Sequence, residues 1–410
     1  MSKIKLTGHG SGSGTLTIQA PDTDSARTIT LPDATGTLLN SDGSAASLTA
    51  IPVTGLRPSA KPLIINGDMS VAQRSTSVAG ITTGSPGPYN TSDRWSTRND
   101  TAGTWTQTQE ALTSGNAYED GFSTALKLDC TTADASLGAN DMLRVMYAFE
   151  GTDLQVLKYG SSTAEALTVS FWVKATKTGT NALSVYEETT NRSCNKTYTI
   201  NTTNTWEKKV ISFPGDTSGG IDNDSTASLW LNFFIAAGTN YTSGTLNETW
   251  AASSNANRAV GQVNNADSTS NNFHITGVQL EVGEYTAATI PPFQFENYGD
   301  NLSRCERYYH RHKANIAGAG ICAGGIYSTT AAAAAYRYPT IMRTNPTLSY
   351  SGVGDFRVLH TTTHVVTAID GIETISGVRL WFTSSGMTAG NGMMIDANNT
   401  SCWLAFDAEL

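Results

Sequence analysis

Apolar and polar residues alternate with a period of two over much of this chain. In EALTVSFWVKA (165–175) one side carries Leu167, Val169, Phe171 and Val173, and the other carries Thr168, Ser170, Trp172 and Lys174. In ASLWLNFFIA (227–236) one side carries Leu229, Leu231, Phe233 and Ile235, and the other carries Trp230, Asn232 and Phe234. This period predicts β-strands with one face in a core. Because turns rich in Gly, Asn, Ser and Thr separate the strands, residues 61–296 are predicted to form a β-sandwich.

The rest of the chain divides into three further parts. Residues 1–60 contain two short strands, TLTIQA and RTITLP, which cannot bury a core alone and therefore need a partner. Residues 297–312 predict a short connecting helix, with Asp300 as N-cap and a narrow apolar stripe of Leu302, Cys305 and Tyr309. Residues 313–410 return to alternation in SGVRLWFTS and TSCWLAFDAEL, and the AAAAA run at 331–335 is read as a strand. The fold class is therefore mainly β, with a C-terminal β-sandwich domain after the helix.

Composition and charge exclude several classes of protein. Only 15% of the 410 residues are charged, and 26 basic against 35 acidic residues give a net charge of −9. No cluster of Lys or Arg is present, so we expect no nucleic-acid partner. The start, MSKIKLTGHG, lacks the apolar run of a signal peptide, which predicts assembly in a cytoplasm. The five cysteines are odd in number and contain no CxxC pair, so they are predicted to be mostly buried free thiols.

Several stretches together resemble the tail fibre and receptor-binding proteins of bacteriophages. They are LIINGDMSVAQRSTS (63–77), YNTSDRW (89–95), VSFWVKA (169–175), FHITGVQLEVGEYTAATIPPFQFENYGDNLSRCERYY (273–309) and the final DAEL. The middle of the chain is also similar to carbohydrate-binding modules of the jelly-roll type, which begin with an Asn-Gly-Asp strand and end on an I-x-x-V-x-L strand. Ile64 to Asp68 and Ile275 to Leu280 match these two strands.

The resemblance implies a homotrimeric structural protein of the virion that attaches the particle to its host. Residues 1–60 would bind other tail or virion proteins and trimerise, and distal domains would contact a bacterial surface glycan or an outer-membrane receptor. Residues 313–410 are the first choice for that contact, and three weak surfaces held together would raise the avidity. Two alternatives stay open: a head fibre or decoration protein of the capsid, and a tailspike that degrades polysaccharide.

Candidate glycan contacts are Trp172, Trp230 and Phe234, which lie opposite the aliphatic faces of their strands. Flat aromatic rings stack on the C–H patches of sugars, although a second sandwich face could equally be an interface with another part of the protein. For the structural calcium of the similar modules, Asn66 and Asp68 match the first strand. Thr276 or Gly277 stands where an acidic ligand is expected, so no cofactor is predicted beyond that candidate ion.

The segment CERYYHRHK (305–313) is dense in reactive side chains. Cys305, His310, His312 and Cys322 would form a Cys₂His₂ set for zinc. On a helix, however, the two histidines point about 200° apart, and Glu306 with His310 is a simple i, i+4 pair, so a structural role is favoured. The chain has no G-x-S-x-G or phosphate-loop motif. Asp93, beside Arg94 and Trp95, is the acidic candidate for glycoside hydrolysis, but a turn ion pair with Arg94 explains this carboxylate as well. We therefore predict no enzymatic activity.

Overall fold

Antiparallel strands dominate the computed structural model, which describes residues 61–84 and 87–410. The prediction of an attachment and trimerising segment at 1–60 lies outside these residues. The first eleven strands are β1 Ser77–Thr83, β2 Trp95–Ala111, β3 Thr124–Thr132, β4 Met142–Glu150, β5 Leu167–Ala175, β6 Gly179–Glu187, β7 Arg192–Ile200, β8 Glu207–Phe213, β9 Ala227–Ala237, β10 Ala251–Ala252 and β11 Asn272–Val282. Between them lie helices α1 Asn116–Glu119 and α2 Thr239–Thr242 and the 3₁₀ turns Gly151–Leu157 and Asn255–Asn257.

Strands β1 to β11 form one sheet that folds over on itself. The order is β10-β7-β6-β9-β4-β2-β3-β11-β5-β8, with β1 also on β2. The start of β2 pairs with β4 and its end pairs with β3, and the turn between them passes through Thr101 and Gly103 at φ 59° and 73°. We call β10, β7, β6, β9 and β4 the front sheet, and β3, β11, β5 and β8 the back sheet. Phe233 of the front sheet meets Phe171 of the back sheet with ring centroids 5.0 Å apart, so the two sheets enclose one core.

The predicted alternation is confirmed in both sheets. The aliphatic faces of β5 and β9 are buried in the core between the sheets, at Leu167, Val169, Phe171, Val173, Leu229, Leu231, Phe233 and Ile235. The jelly-roll β-sandwich that the sequence predicts is therefore the architecture of the chain from β1 to β11.

The remaining strands build a second β domain. They are β12 Tyr309–Lys313, β13 Gly320–Ile326, β14 Ala331–Arg337, β15 Thr347–Tyr350, β16 Phe356–Leu359, β17 Thr363–Val365, β18 Ala368–Thr374, β19 Gly377–Thr383, β20 Gly392–Ala397 and β21 Trp403–Asp407, with a 3₁₀ turn at Val353–Asp355. A seven-stranded sheet, β17-β16-β20-β13-β14-β19-β18, and a three-stranded sheet, β12-β21-β15, share one apolar core. The alanine run lies in β14, as predicted.

Helix α3, Tyr298–Glu306, differs from its prediction at both ends. Asn297, not Asp300, is the N-cap, because its Oδ1 accepts the Asp300 backbone N–H at 3.0 Å. The helix ends at Glu306 rather than at 312, since the backbone of 309–313 pairs with β21. Residues 309–313 therefore form inter-strand hydrogen bonds instead of continuing the helix, and local residue spacing does not reveal this pairing.

The two β domains meet at a junction that combines apolar packing with ion pairs. Ile65, Val71, Cys305 and Tyr308 are buried together, so α3 contacts both domains. The last residues of the chain bind the sandwich. Glu409 pairs with Arg94, Asp407 pairs with Arg74 at 2.9 Å, and the Leu410 carbonyl accepts the Tyr89 hydroxyl at 3.1 Å.

Candidate functional site

The two tryptophans predicted to bind glycan lie on the outer faces of opposite sheets. Trp172, on the back sheet, is only 8% exposed because Phe122 and Phe293 pack over it. The 291–295 segment is held there by Gln279, whose Nε2 donates to the Pro291 carbonyl at 2.9 Å. The indole N–H of Trp172 is buried without a hydrogen-bond partner. This face is therefore largely covered by the chain itself.

Trp230, on the front sheet, borders an open groove of about 220 Å³, which we call the front groove. Its lining residues are Gly87, Ser96, Arg98, Arg144, Met146, Tyr186, Glu188, Trp230, Asn232, Arg258 and Leu410. The floor comes from outward positions of β6, β9, β4 and β2, whose neighbouring positions point into the core.

Strand register places the floor residues in cross-strand rows. Tyr186 of β6 stands directly opposite Trp230 of β9. Met146 of β4 lies between Asn232 and Ser96, its partners on β9 and β2. In the next row Arg144 lies between Phe234 and Arg98. One end of the groove is thus aromatic, the middle is polar and thioether, and the other end is cationic.

The aromatic end is held in a fixed orientation. Trp230 is partly exposed, and its Nε1 donates to the Glu188 carboxylate at 2.6 Å. Tyr186 is also partly exposed, and its hydroxyl donates to Asn191 Oδ1 at 3.1 Å. Two neighbouring aromatic side chains with engaged polar atoms offer apolar faces to the groove, the arrangement that stacks on a sugar ring.

Phe234, the third predicted glycan contact, is fully buried beneath the cationic end. The guanidinium carbons of Arg144 and Arg258 lie 5.8 and 5.7 Å from its ring centroid. Its ring supports the two guanidiniums by cation–π contact rather than reaching the groove surface. Arg258 also lies 5.2 Å from the Tyr186 ring centroid, and its Nε donates to Ser184 Oγ at 3.5 Å.

These two arginines are buried without a carboxylate partner. Arg144 is 8% exposed and Arg258 is 7% exposed, and neither forms an ion pair within the described part of the chain. The Nε of Arg144 is buried without a hydrogen bond. Burial, and then the nearby charges of Arg258 and Arg98, hold the pKa of Arg144 well below its usual range. Burial lowers the pKa of Arg258 to about 10.

The calcium candidates Asn66 and Asp68 are engaged with protein atoms. The Asn66 amide donates to the Val71 and Asp93 carbonyls, each at 2.9 Å. Asp68 Oδ1 accepts from Ser70 Oγ at 3.0 Å and from Asn301 Nδ2 at 3.2 Å. Over 61–84 and 87–410, no three His, Cys, Asp or Glu side chains form a group that could hold a metal ion.

The Cys/His set that includes Cys305, His310 and His312 is divided between two environments. Cys305 lies in the junction, whereas His310 and His312 lie on β12. There the two imidazoles share one partner, the Tyr336 hydroxyl, at 2.8 and 3.3 Å. Because strand residues two apart share a face, the expectation that the histidines point apart on a helix is wrong. All five cysteines are free thiols, four buried and Cys322 partly exposed, which confirms that prediction.

Asp93 belongs to the junction rather than to a cleft. Its carboxylate accepts from Gln73 Nε2 at 2.6 Å and lies 3.9 Å from Arg74. Burial raises the pKa of Asp93 to about 6, although Arg74 and Gln73 oppose that shift. Its sequence neighbour Arg94 pairs with Glu409, so the expected Asp93–Arg94 turn pair is replaced by two longer-range pairs.

Solved structures resemble this chain only at low sequence identity and low TM-score. No family model matches the chain, and no curated protein matches it. Similar solved structures include the enzymatically active domain of tailspike protein 4 from bacteriophage CBA120, at 12% identity over 54% of this chain and 21% of that one, with a TM-score of 0.27. This chain thus spans about a fifth of the tailspike structure.

Carbohydrate-binding modules are also among the similar structures. The family 11 module of the cellulase Lic26A-Cel5E of Clostridium thermocellum is 13% identical over 47% of this chain and 91% of its own, with a TM-score of 0.25. The CBM22-1 xylan-binding domain from Paenibacillus barcinonensis Xyn10C is 13% identical over 56% and 100%, with a TM-score of 0.24. A TM-score of this size does not indicate function. No helix in the described ranges has the length and apolarity needed to cross a membrane.

The sequence predictions missed most of the front groove. Arg144 carried a usable signal, since it is the one charged residue in the otherwise apolar run MLRVMYAF (142–149) and alternates with core residues. Tyr186 lies near the end of β6, whose other face is buried, and Glu188 directly follows that strand. Arg258 comes from a loop without any period, so only the fold brings it to the groove.

Proposed function

We propose that this chain is a non-enzymatic tail fibre protein of a phage virion that attaches to the host surface by binding glycan in the front groove. The observation that carries the proposal is the aromatic floor of Trp230 and Tyr186, opposite each other on adjacent strands and open to solvent. The indole of Trp230 is oriented by Glu188, so little side-chain freedom is lost on binding. Farther along, the floor is polar at Asn232 and Ser96, which are both buried.

The fibre part of the proposal is supported by the tail-fibre-like stretches of the sequence and by the surface of the C-terminal domain. Seven of the ten exposed large apolar side chains in the described residues lie within 313–410: Ile316, Tyr327, Ile341, Val365, Ile372, Ile375 and Met394. A second and third copy of the chain would cover such side chains. Residues 1–60 are proposed to attach the trimer to other virion proteins.

A mass measurement tests the trimer. Light scattering on the purified full-length protein is expected to give about three times the chain mass of 43.4 kDa. A stable monomer at micromolar concentration would contradict the homotrimeric fibre. It would leave the groove proposal standing, because the front groove is built from a single chain.

Glycan binding is tested by replacing the aromatic floor. On an array of bacterial surface polysaccharides, Trp230→Ala is expected to lose about tenfold or more in affinity, as for a central aromatic contact. The matched control is Trp381→Ala, which removes a partly exposed tryptophan whose ring centroid lies 5.0 Å from that of Tyr327 in the other domain. Equal losses in both variants, or wild-type protein that binds no glycan, would contradict the proposal. Release of oligosaccharide from a bound polysaccharide would contradict the non-enzymatic assignment.

A further inference from the structure

The cationic end of the front groove contains more positive charge than its surroundings neutralise. Three guanidiniums line the groove, those of Arg98, Arg144 and Arg258. Arg98 is paired with Asp100 at 2.9 Å. Glu188, the one Asp or Glu side chain among the lining residues, is bonded to the Trp230 indole at the other end of the groove. Arg144 and Arg258 remain, both more than nine-tenths buried.

This arrangement is unfavourable for the empty protein. Arg98 and Arg144 stand directly opposite each other on β2 and β4, and like charges in that position destabilise a sheet. A buried ion without a partner also loses hydration that nothing replaces. Arginine cannot relieve this by releasing its proton at neutral pH. Since no Asp or Glu side chain within 61–84 and 87–410 pairs with either arginine, an anion that binds from solution would neutralise the pair.

The geometry also selects the form of that anion. The guanidinium carbons of Arg144 and Arg258 both lie within 6 Å of the Phe234 ring centroid, so one buried ring contacts both cations. The Nε of Arg144 has no hydrogen-bond partner, and Arg258 is steadied by Ser184. Two positioned planar donors match the oxygens of a carboxylate or a phosphate.

We propose that Arg144 and Arg258 bind an oxyanion carried by the glycan, the carboxylate of an acidic sugar or the phosphate of a phosphorylated one. This inference rests on the proposed function of the front groove and names its ligand class. Trp230 and Phe234 are four residues apart on β9, about 13 Å along the strand. Arg258 contacts both the Phe234 ring and the Tyr186 ring that faces Trp230. The ligand therefore places one sugar ring on Trp230 and its charged group beside that ring, on the side toward Phe234.

The first experiment tests the oxyanion site without any glycan. Thermal unfolding is followed for the wild type, Arg144→Met, Arg258→Met and the control Arg379→Met in sodium phosphate, sodium acetate and sodium chloride of equal pH and ionic strength. Arg379 is an exposed arginine of the C-terminal domain, so its variant removes the same charge elsewhere. Phosphate or acetate is expected to raise the melting temperature of the wild type and of Arg379→Met more than that of the two groove variants. An equal response in all four proteins would overturn the inference.

The second experiment uses an array that carries neutral, uronic-acid-containing and phosphorylated polysaccharides. The wild type is expected to bind glycans of one charged class, and Arg258→Met to lose about tenfold or more while Arg379→Met does not. The bound class identifies the oxyanion as carboxylate or phosphate. Binding confined to neutral glycans and unchanged in Arg144→Met would overturn the inference and leave the proposed function intact. Anion stabilisation without any glycan binding would support the oxyanion site and overturn the glycan function.

Discussion

Buried arginines occur in two regions of this molecule, and the two regions treat them in opposite ways. At the junction between the β domains, Arg94 is 1% exposed, pairs with Glu409 and lies 3.4 Å from the Tyr308 ring centroid. In the front groove, Arg144 is 8% exposed, and it has no carboxylate partner in the described part of the chain. The fold therefore can neutralise a buried guanidinium, and in the groove it does not. This difference marks the groove as a place for a ligand and the junction as structure.

The two regions also differ in the carboxylates that lie beside their arginines. At the junction, Arg74 and Arg94 face three carboxylates, those of Asp93, Asp407 and Glu409. A buried carboxylate can be neutralised by taking up a proton. Burial favours this at Asp93 by raising the pKa of its carboxyl group. A buried guanidinium does not lose its proton at neutral pH, so only an anion can neutralise it. Three variants test this contrast.

Glu409→Gln is expected to have the largest effect. It leaves Arg94 buried without its carboxylate, and breaking a buried pair from one side costs on the order of 3 kcal/mol of unfolding free energy. Denaturant unfolding of the full chain measures it. The matched control is Glu165→Gln, which removes the carboxylate of the exposed pair with Lys158 and is expected to cost less than about 0.5 kcal/mol. A loss no larger than in that control would show that the junction does not depend on the pair.

The strand faces of both regions could be predicted from the sequence, and the charge pairing could not. Alternation in β9 correctly places Trp230 outward and Phe233 inward, because the side-chain period of a strand is local. Whether an outward residue is then covered depends on distant segments. The 291–295 segment packs over Trp172 and leaves it 8% exposed, whereas Trp230 is left partly exposed by the residues that the structure describes. Local pattern does not encode that choice.

Long-range partners explain the other differences. Glu409 finds Arg94 across 315 positions of sequence, so the neighbouring Asp93 and Arg94 were the only pair that spacing could suggest. The register of β4 against β9 shifts between Leu143 and Arg144, and this irregularity decides which residues face Arg144. The histidines of 310 and 312 change from helix to strand through pairing with β21. Each difference arises where tertiary contacts override local preference.

The pH dependence of stability is expected to carry the signature of Asp93. Its folded pKa of about 6 lies above the unfolded value of about 3.9, so the native state binds more protons between these two values. The contribution of Asp93 to the unfolding free energy therefore falls by an amount on the order of 3 kcal/mol as pH rises from about 4 to 6. Above that range it is constant. In Asp93→Asn that slope should disappear. Denaturant unfolding of both proteins at pH 4.5 and 7.5 measures this slope. If the difference in unfolding free energy between wild type and variant were the same at both pH values, the assignment to Asp93 would be contradicted.

Arg144→Met is expected to have the smallest effect and the opposite sign from Glu409→Gln. Methionine keeps an unbranched side chain above Phe234 and removes the unpaired charge that faces Arg98 and Arg258. Because an apolar residue of similar size replaces a buried ion without a partner, unfolding free energy should rise by about 1 kcal/mol in ligand-free buffer. Arg94→Met is the matched control, since the same substitution at the junction removes one of the two guanidiniums paired with the buried Glu409 and should destabilise the chain. If both variants lose stability alike, the groove arginine is a structural residue and the two regions do not differ as argued. If Arg144→Met gains unfolding free energy and Arg94→Met loses it, the charge of Arg144 destabilises the ligand-free protein. A bound anion would remove that destabilisation.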